Sequence, residues 1–485
     1  MNDLTQVLRS WGDGGGPRYV RLADAIRSAI ERGDLPPRAQ LPPERTLANS
    51  LNVSRNTATA AYDLLRSQDV LVSRQGSGTF VRAQAPRRWR RETRSVRSAR
   101  SAARTAGSAG PRSAEPIEFL AAAFPGVDLL TPDVLAAADA ETAAAADTHG
   151  YVTYGLPSLR VAIANHLTAS GAHTTPDQIL VTSGAQAAIF LSALSLVAPG
   201  DRVLVEDPTW LGAIGAYRAA GAEVIGVPGS PDGINLTACR DLIARHAPAL
   251  IHVSPSFNNP TGFITSERSR VALARMATAT DVPIVEDNTL ADLDLGAGRT
   301  PPIAAVANGA LVLSIGSTSK LFWGGLRVGW IRAPEDVIDG LGQLKLVVDY
   351  CTALPSQALA VALFQRLAEI RSARRRQASQ RLGVLQDELR RRLPEWRWRA
   401  PDGGLSLWVQ LPAGLSVEFC QVAERHGVVL TPGSMASPSG GSLDRIRLPF
   451  VHEPEVLVEG VRRLEAAWRD YDRGVDQGRV RQIIV

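Results

Sequence analysis

Apolar and polar residues recur along this chain with two different periods, and the switch between them marks its parts. In YVRLADAIRSAIERGDL, Leu22, Ile26, Ala29 and Ile30 return every three or four residues. That spacing predicts a helix with one buried face, stopped at Gly33. PPERTLANSLNVSRNTATAAYDLLRSQ predicts a short helix through Leu51, a turn at Asn52-Val53-Ser54, and a second helix with Ala58, Ala61 and Leu65 inward. Ser54 is placed to cap that second helix. VLVSRQGSGTFV predicts two short strands joined by a turn containing Gly76 and Gly78, a hairpin. Helix, helix-turn-helix and hairpin together predict a winged helix-turn-helix domain over residues 1–82.

From residue 117 the pattern changes to short apolar runs separated by helical stretches. Residues 178–182, 202–206, 223–227, 249–253, 283–286 and 311–315 read as strands. Strands alternating with helices predict an α/β body, residues 117–485, with a parallel-rich sheet and flanking helices. The C-terminal stretch mixes helix with short strands and predicts a smaller α+β subdomain. Between the two parts, residues 83–116 are rich in Arg, Ser, Ala, Gly and Pro. Too few apolar residues offset ordering entropy there, which predicts a flexible linker.

Charge sharpens this division. Residues 1–82 hold 11 arginines against 8 acids, and residues 83–116 hold 9 arginines against 2. The whole chain carries only +5, so the body is mildly acidic. A basic front suits a polyanion. In a helix-turn-helix the N-terminal end of the second helix enters the major groove of a DNA duplex. Here that end is Ser54-Arg55-Asn56-Thr57. Arg pairs bidentately with guanine and Asn with adenine, while Thr reaches a thymine methyl or a phosphate. Arg45 is placed to reach phosphate or an adjacent base edge, and Gly78 lets the wing backbone approach the neighbouring groove. The arginine-rich stretch 371–392 has helical spacing and reads as a solvated helix face.

The three cysteines lie far apart and read as small buried apolar residues in a reducing compartment. The N-terminus lacks the pattern of a secretory signal, and no apolar run approaches the ~20 residues of a membrane span. The expectation is a cytoplasmic protein with no membrane contact and no metal site.

Among 53 Lys and Arg residues, only Lys320 and Lys345 are lysines. Lys345 reads as part of an exposed helix. Lys320 sits in GSTSKLFWGGLRVGW, after a run of small hydroxyl residues. An amine can deprotonate and form a Schiff base, which a guanidinium cannot. Pyridoxal 5′-phosphate is the aldehyde cofactor that uses such a lysine. Its other requirements have candidates at strand ends. Ser183-Gly184-Ala185-Gln186 precedes an apolar helix and suits a phosphate. Asp287 could hold the pyridine nitrogen protonated, Asn259 could meet the ring oxygen, and Trp210 could cover the ring face. Ser317 and Arg327 flank the lysine as further phosphate ligands. Taken singly, Trp210 also fits a core position, Asp287 a buried cap, the Gly184 loop an ordinary turn and Lys320 a surface amine. Their joint order favours the cofactor site.

Two resemblances extend this reading. LPPERTLANSLNVSRNTATAAYDLLRSQDVLVSRQGSGTFV resembles the winged-helix domain of GntR-type bacterial repressors. TSGAQAA, EDPTW, NNPTG, VEDN and GSTSK…GGLRVGW are similar to the motif series of fold-type I aminotransferases. The second resemblance implies that Lys320 forms the Schiff base, Asp287 pairs with the ring nitrogen, Asn259 bonds the ring oxygen and Trp210 stacks. It implies phosphate contacts from Gly184, Ala185, Gln186, Ser317, Ser319 and Arg327. Arg447 would grip an effector's α-carboxylate, and Tyr151 would line the partner subunit's site. One position departs from the pattern: Thr289 stands where many relatives have a tyrosine facing the ring oxygen, which puts efficient transamination in doubt. Head and body together resemble the MocR subfamily of transcriptional regulators. That implies a homodimer, a double-stranded DNA operator, and a small amino compound or the cofactor itself as signal. Transaminase chemistry would then be vestigial or partial. The alternatives are a genuine aminotransferase with an accessory DNA-binding head, and a nucleic-acid-binding protein with an inactive body.

Overall fold

Helix α1 (Arg18–Arg32) turns Leu22, Ile26, Ala29 and Ile30 into a small core, as its spacing predicts. The computed structural model describes residues 18–81 and 116–476, except 33, 36–38, 52, 68–69, 75–77, 297 and 299. Apart from Pro116 the expected linker lies outside the described residues, as do Asn52 and the wing tip at Gly76 and Ser77. The chain separates into two units, Met1–Arg94 and Ser95–Val485.

In the first unit, β1 (Gln40–Leu41) and α2 (Glu44–Ser50) lead to α3 (Arg55–Ser67). Ala58, Ala61 and Leu65 of α3 are fully buried. Strands β2 (Leu71–Arg74) and β3 (Gly78–Val81) form the hairpin, paired antiparallel from Leu71–Val81 to Arg74–Gly78. Strand β1, two residues long and too short for a periodic signal, adds to the other edge of β3. The helix pair is held by more than apolar packing. Glu44 accepts hydrogen bonds from Thr59 Oγ1 (2.9 Å) and Arg66 Nη2 (2.5 Å), tying the first turn of α2 to α3. The hydroxyl of buried Tyr62 donates to the Pro42 carbonyl at 2.9 Å, and burial raises its pKa above the usual phenol range.

In the second unit, β4 (Ile117–Glu118), α4 (Pro132–Ala145) and α5 (Pro157–Ala169) come first. An alternation of strand and helix follows: β5 (Ile179–Thr182), α6 (Ala185–Leu196), β6 (Arg202–Asp207), α7 (Leu211–Ala219), β7 (Glu223–Ser230) and β8 (Gly233–Ile234). It continues through α8 (Leu236–His246), β9 (Leu250–Val253), α9 (Glu267–Thr280), β10 (Ile284–Asp287), β11 (Val312–Ser317) and β12 (Gly329–Arg332). These strands build one sheet in the order β5-β12-β11-β10-β9-β6-β7-β8. Strand β12, which the sequence pattern did not reveal, runs antiparallel between β5 and β11, and β8 runs antiparallel to β7. The other pairs are parallel. Leu180, Val203, Val205, Val285 and Ile315 face a core with α6 and α7. Leu204, Ile251, Val253 and Ile284 face α8 and α9. Burial on both faces is why these strands read as continuous apolar runs.

Helices α10 (Glu335–Val348), α11 (Leu354–Gln365) and α12 (Leu367–Arg392) lead to the C-terminal subdomain. There β13 (Arg397–Trp398), β14 (Ser406–Gln410), β16 (Thr431–Pro432) and β17 (Arg445–Pro449) form an antiparallel sheet in the order β13-β14-β17-β16. Helices α13 (Ser416–Arg425) and α14 (Pro454–Asp476) join its core. Strand β15 (Val428–Val429) pairs parallel with β4, so residues 117–118 belong to this subdomain.

Several expectations need correction. Lys345 has no exposed surface and is paired with Asp349. Helix α12 is not a solvated face throughout. Arg374 (2% exposed) and Arg381 (5%) are buried, and most of its other arginines are ion-paired on the helix or to neighbouring acids. Charge count alone hides this, because each buried guanidinium is matched by carbonyls and carboxylates far away in sequence. Of the free cysteines only Cys239 is fully buried; Cys351 and Cys420 are half-buried. Among the described residues no helix is long and apolar enough to cross a membrane.

Candidate functional site

The hydroxyl run before Lys320 folds the chain back on itself. Ser317 Oγ, Thr318 N and Thr318 Oγ1 all donate to the Val328 carbonyl, at 3.2, 3.1 and 3.0 Å. Ser317 Oγ also accepts the Ser319 N–H at 3.1 Å. The lysine therefore leaves a rigid corner at the end of β11. Its Nζ donates to the Ala122 carbonyl at 2.9 Å. Burial, then the positive charges of Arg447 and Arg327, bring the Lys320 ammonium down to about 8, against the opposing pull of Asp287. Behind the corner, Arg374 holds the carbonyls of Leu321, Phe322 and Pro125 at 3.2, 3.4 and 3.0 Å and grips Asp128 with two bonds, 2.7 and 3.0 Å.

Lys320 shares one pocket with Asp287, Thr289, Asn259 and Trp210. Ala185, Gln186, Ser317, Ser319 and Arg327 complete its polar wall. All come from chain leaving the C-terminal ends of β5, β6, β9, β10 and β11, or, for Arg327, from the turn before β12. This is where open α/β sheets bind ligands. Gly184 begins α6 at φ +92°, and a Cβ there would stand 2.6 Å from Arg327 Nη2. A Cβ on Gly329 would meet Gly184 and Ala185 backbone at 2.6–2.7 Å. Both glycines therefore leave room for Arg327 and the first turn of α6. Ala187 and Ala188 donate to the Gly184 carbonyl at 3.1 and 3.2 Å, while the Ala185 and Gln186 N–H groups ahead of them have no carbonyl of their own helix and lie at its positive end.

Asp287 is 7% exposed and accepts the Thr289 N–H at 3.0 Å. On neighbouring β9, His252 lies in register with Val285, one step below Asp287 on the same face. It is fully buried, bonded through Nδ1 to the Tyr217 hydroxyl at 3.0 Å, and lowered to about 4 by burial, hence neutral. Trp210 Nε1 donates to Gln186 Oε1 at 3.1 Å, and Gln186 Nε2 to the Gly212 carbonyl at 2.8 Å, which fixes the indole. Buried Glu206, pushed up by desolvation, accepts the Ser254 N–H (2.7 Å) and Asn258 Nδ2 (2.8 Å), holding the loop that presents Asn259. Arg447 reaches over from β17. Its Nη1 donates to Asn259 Oδ1 at 3.2 Å and its Nη2 to the Leu120 carbonyl at 2.5 Å. Its guanidinium lies 5.7 Å from the Trp210 ring centroid, and burial lowers it to about 10.

Tyr151 is not drawn into this pocket; it is 59% exposed, edge-on to Tyr350 at 5.0 Å. His252, Tyr217, Glu206 and Arg374 escape sequence reasoning. Only Glu206, inside EDPTW, carries a signal that could have found it.

In the head, Ser54 Oγ accepts the Thr57 N–H at 3.1 Å and shares a hydrogen bond with Thr57 Oγ1 at 2.8 Å. Both hydroxyls are thus engaged in capping α3. Arg45, Arg55 and Asn56 are exposed. Gly78 adopts φ +105°, and a Cβ there would sit 2.9 Å from Gln40 Nε2.

The pocket fits pyridoxal 5′-phosphate on its own geometry. Buried polar atoms without a partner in the protein, Ser319 Oγ, Ser254 Oγ and Arg447 Nε, cluster in or beside it. A helix N-terminus with an arginine, a buried carboxylate and an amine of lowered pKa supply the three contacts that this cofactor demands. Comparison with known proteins agrees. Residues 122–464 match the model of the aminotransferase class I and II family, and residues 18–81 that of the bacterial regulatory proteins of the gntR family. The solved LysN α-aminoadipate aminotransferase of Thermus thermophilus is 28% identical with a TM-score of 0.67, covering 78% of this chain and 94% of that one. The second unit therefore defines a pyridoxal-phosphate-dependent, class I and II aminotransferase-type protein. Over the full length, the probable rhizopine catabolism regulatory protein MocR of Rhizobium meliloti is 30% identical, covering 94% of each chain. The HTH-type regulator YisV of Bacillus subtilis is 28% identical, covering 90% of this chain and 92% of its own. With its GntR head, this chain belongs to the MocR subfamily of GntR-type transcriptional regulators.

Proposed function

We propose that this regulator reads an amino compound, preferably one with an α-carboxylate, in the pocket of its body and reports it to the operator-binding head. We take residues 1–82 as the head, 83–116 as the linker and 117–485 as the body. Bound pyridoxal 5′-phosphate supplies an aldehyde carbon that accepts amines and an electron-withdrawing ring. The residues of the chain do the rest. Asp287 holds a proton on the ring nitrogen, and Asn259 donates to the ring oxygen. Arg327, Ser317, Ser319 and the first turn of α6 neutralise the phosphate. Lys320 alternates between holding the cofactor and yielding to an incoming amine.

One observation carries the coupling. Lys320 and Arg447 both donate to carbonyls of a single short segment, Ala122 and Leu120. That segment follows the linker directly in sequence. An effector carboxylate competes with Leu120 for Arg447, and a Lys320 displaced from the cofactor regains the free amine that donates to Ala122. The two pocket states thus differ in how the root of the linker is held, which is the differential contact that any ligand-driven switch needs. Thr289, lacking a phenol at the ring oxygen, favours a binding event over turnover.

The test is a titration of amino acids against operator DNA and cofactor absorbance together. Coincident midpoints support the reading; sustained turnover of amino acid with a 2-oxoacid supports the aminotransferase alternative instead. Arg447→Ala is expected to weaken carboxylate-bearing effectors roughly 30-fold or more while sparing simple amines. In the head, Arg55→Ala is expected to weaken operator binding by ~1–3 kcal/mol and relax one base preference. Equal gel-shift midpoints for variant and parent would remove Arg55 as a reader. A homodimer is supported by an exposed apolar patch at Tyr151, Val347, Val348 and Tyr350, and sedimentation of the full chain measures it.

A further inference from the structure

The second lysine of the chain is also part of this site, at one remove. Lys345 lies on α10 with no exposed surface and pairs with Asp349, four residues on. The other oxygen of Asp349 accepts the Ser183 hydroxyl at 2.9 Å. Ser183 immediately precedes Gly184, and its own carbonyl accepts Arg327 Nη2 at 3.2 Å. Thr352 Oγ1 lies 3.5 Å from Ser183 Oγ. A single residue at the mouth of the α6 loop is thus held on one side by the candidate phosphate arginine and on the other by a carboxylate.

A carboxylate is a strong hydrogen-bond acceptor for fixing Ser183 but a poor neighbour for an anion. Like charges close together in a partly desolvated site repel by several times more than in water. A buried charge must also be paired. An ammonium directly beneath the carboxylate meets both needs, and its compact tip suits a fully enclosed position where a planar guanidinium is bulkier. We propose that Lys345 and Asp349 form a charge-balanced brace that positions the Ser183–Gln186 loop for a phosphate dianion, Lys345 cancelling the charge of the carboxylate that holds the loop. This rests on the reading, given above, that this loop and Arg327 take the cofactor phosphate. Lys345 is a positioning residue and touches no ligand.

The experiment compares pyridoxal 5′-phosphate with pyridoxal, which lacks the phosphate, by equilibrium titration of the full-length apoprotein. Lys345→Met keeps the apolar stem and removes the charge. It is expected to weaken the phosphorylated ligand roughly tenfold while leaving pyridoxal within about twofold. Lys345→Met combined with Asp349→Asn removes both charges, keeps an acceptor for Ser183, and is expected to restore most of the preference. Ser183→Ala, which strands no buried charge, serves if Lys345→Met does not fold, and is expected to narrow the preference in the same direction. Arg327→Ala tests the underlying reading. If Arg327→Ala narrows the preference while Lys345→Met and Ser183→Ala weaken both ligands equally or not at all, the brace is wrong. If no variant, Arg327→Ala included, alters the preference, the phosphate reading fails and the brace with it.

Discussion

Lys320→Ala is expected to give a folded protein that pyridoxal 5′-phosphate no longer attaches to covalently, visible as loss of the cofactor's long-wavelength absorbance. The side chain leaves a corner fixed by Ser317, Thr318 and Val328, so truncation removes the amine without moving the backbone. The same lysine predicts a pH dependence. Its pKa is lowered to about 8, chiefly by burial and then by Arg447 and Arg327. Below that pH the ammonium is unreactive; above it the free amine attacks. Cofactor capture by the apoprotein should therefore accelerate as pH rises through about 8. Arg447→Ala, which removes a positive neighbour, should move the midpoint upward. Stopped-flow absorbance across pH measures both. An unchanged spectrum in Lys320→Ala would sink the covalent assignment.

The second large effect is expected at Arg374, which touches no ligand. Arg374→Met should cost about 3 kcal/mol of stability, because three main-chain carbonyls and Asp128 lose their donor together. Methionine preserves the apolar bulk against Phe124, whose ring lies 4.9 Å beneath the guanidinium. The loss is therefore one of hydrogen bonds and charge, and not of volume. Two of the carbonyls belong to Leu321 and Phe322, directly after Lys320, so cofactor affinity should fall along with the melting temperature. Chemical denaturation and cofactor titration of one preparation separate the two. A variant that melts like the parent and binds normally would show that Asp128 and the carbonyls find other partners.

Much of this was readable from residues alone, for physical reasons. The helices of the head and the strands at the sheet centre bury one or both faces, and burial writes a period into sequence. Motif residues sit where the chain leaves the C-terminal ends of the strands, the place where open α/β sheets bind ligands, so the strand pattern and the chemistry point to the same positions. Elements of two residues, such as β1 and β15, leave no period. Strand β12 follows a glycine-rich turn and reverses direction, which local pattern does not encode. The buried polar groups were hidden for a different reason. Arg374 and Arg381 look like surface charge until Asp128 and Glu453, distant in sequence, are brought beside them, and Lys345, paired only four residues on, looks so until tertiary packing encloses it. Lys345 is thus enclosed and not exposed, in a position where a compact amine fits.

The pairing of β4 with β15 has a mechanical consequence. The body is stitched, at residues 117–118, to the small lobe and not to the large sheet. Arg447 belongs to that same lobe, on β17. On the reading proposed above, a carboxylate gripped by Arg447 would bear on the same lobe that anchors the first strand of the body, so grip and anchorage would shift as one.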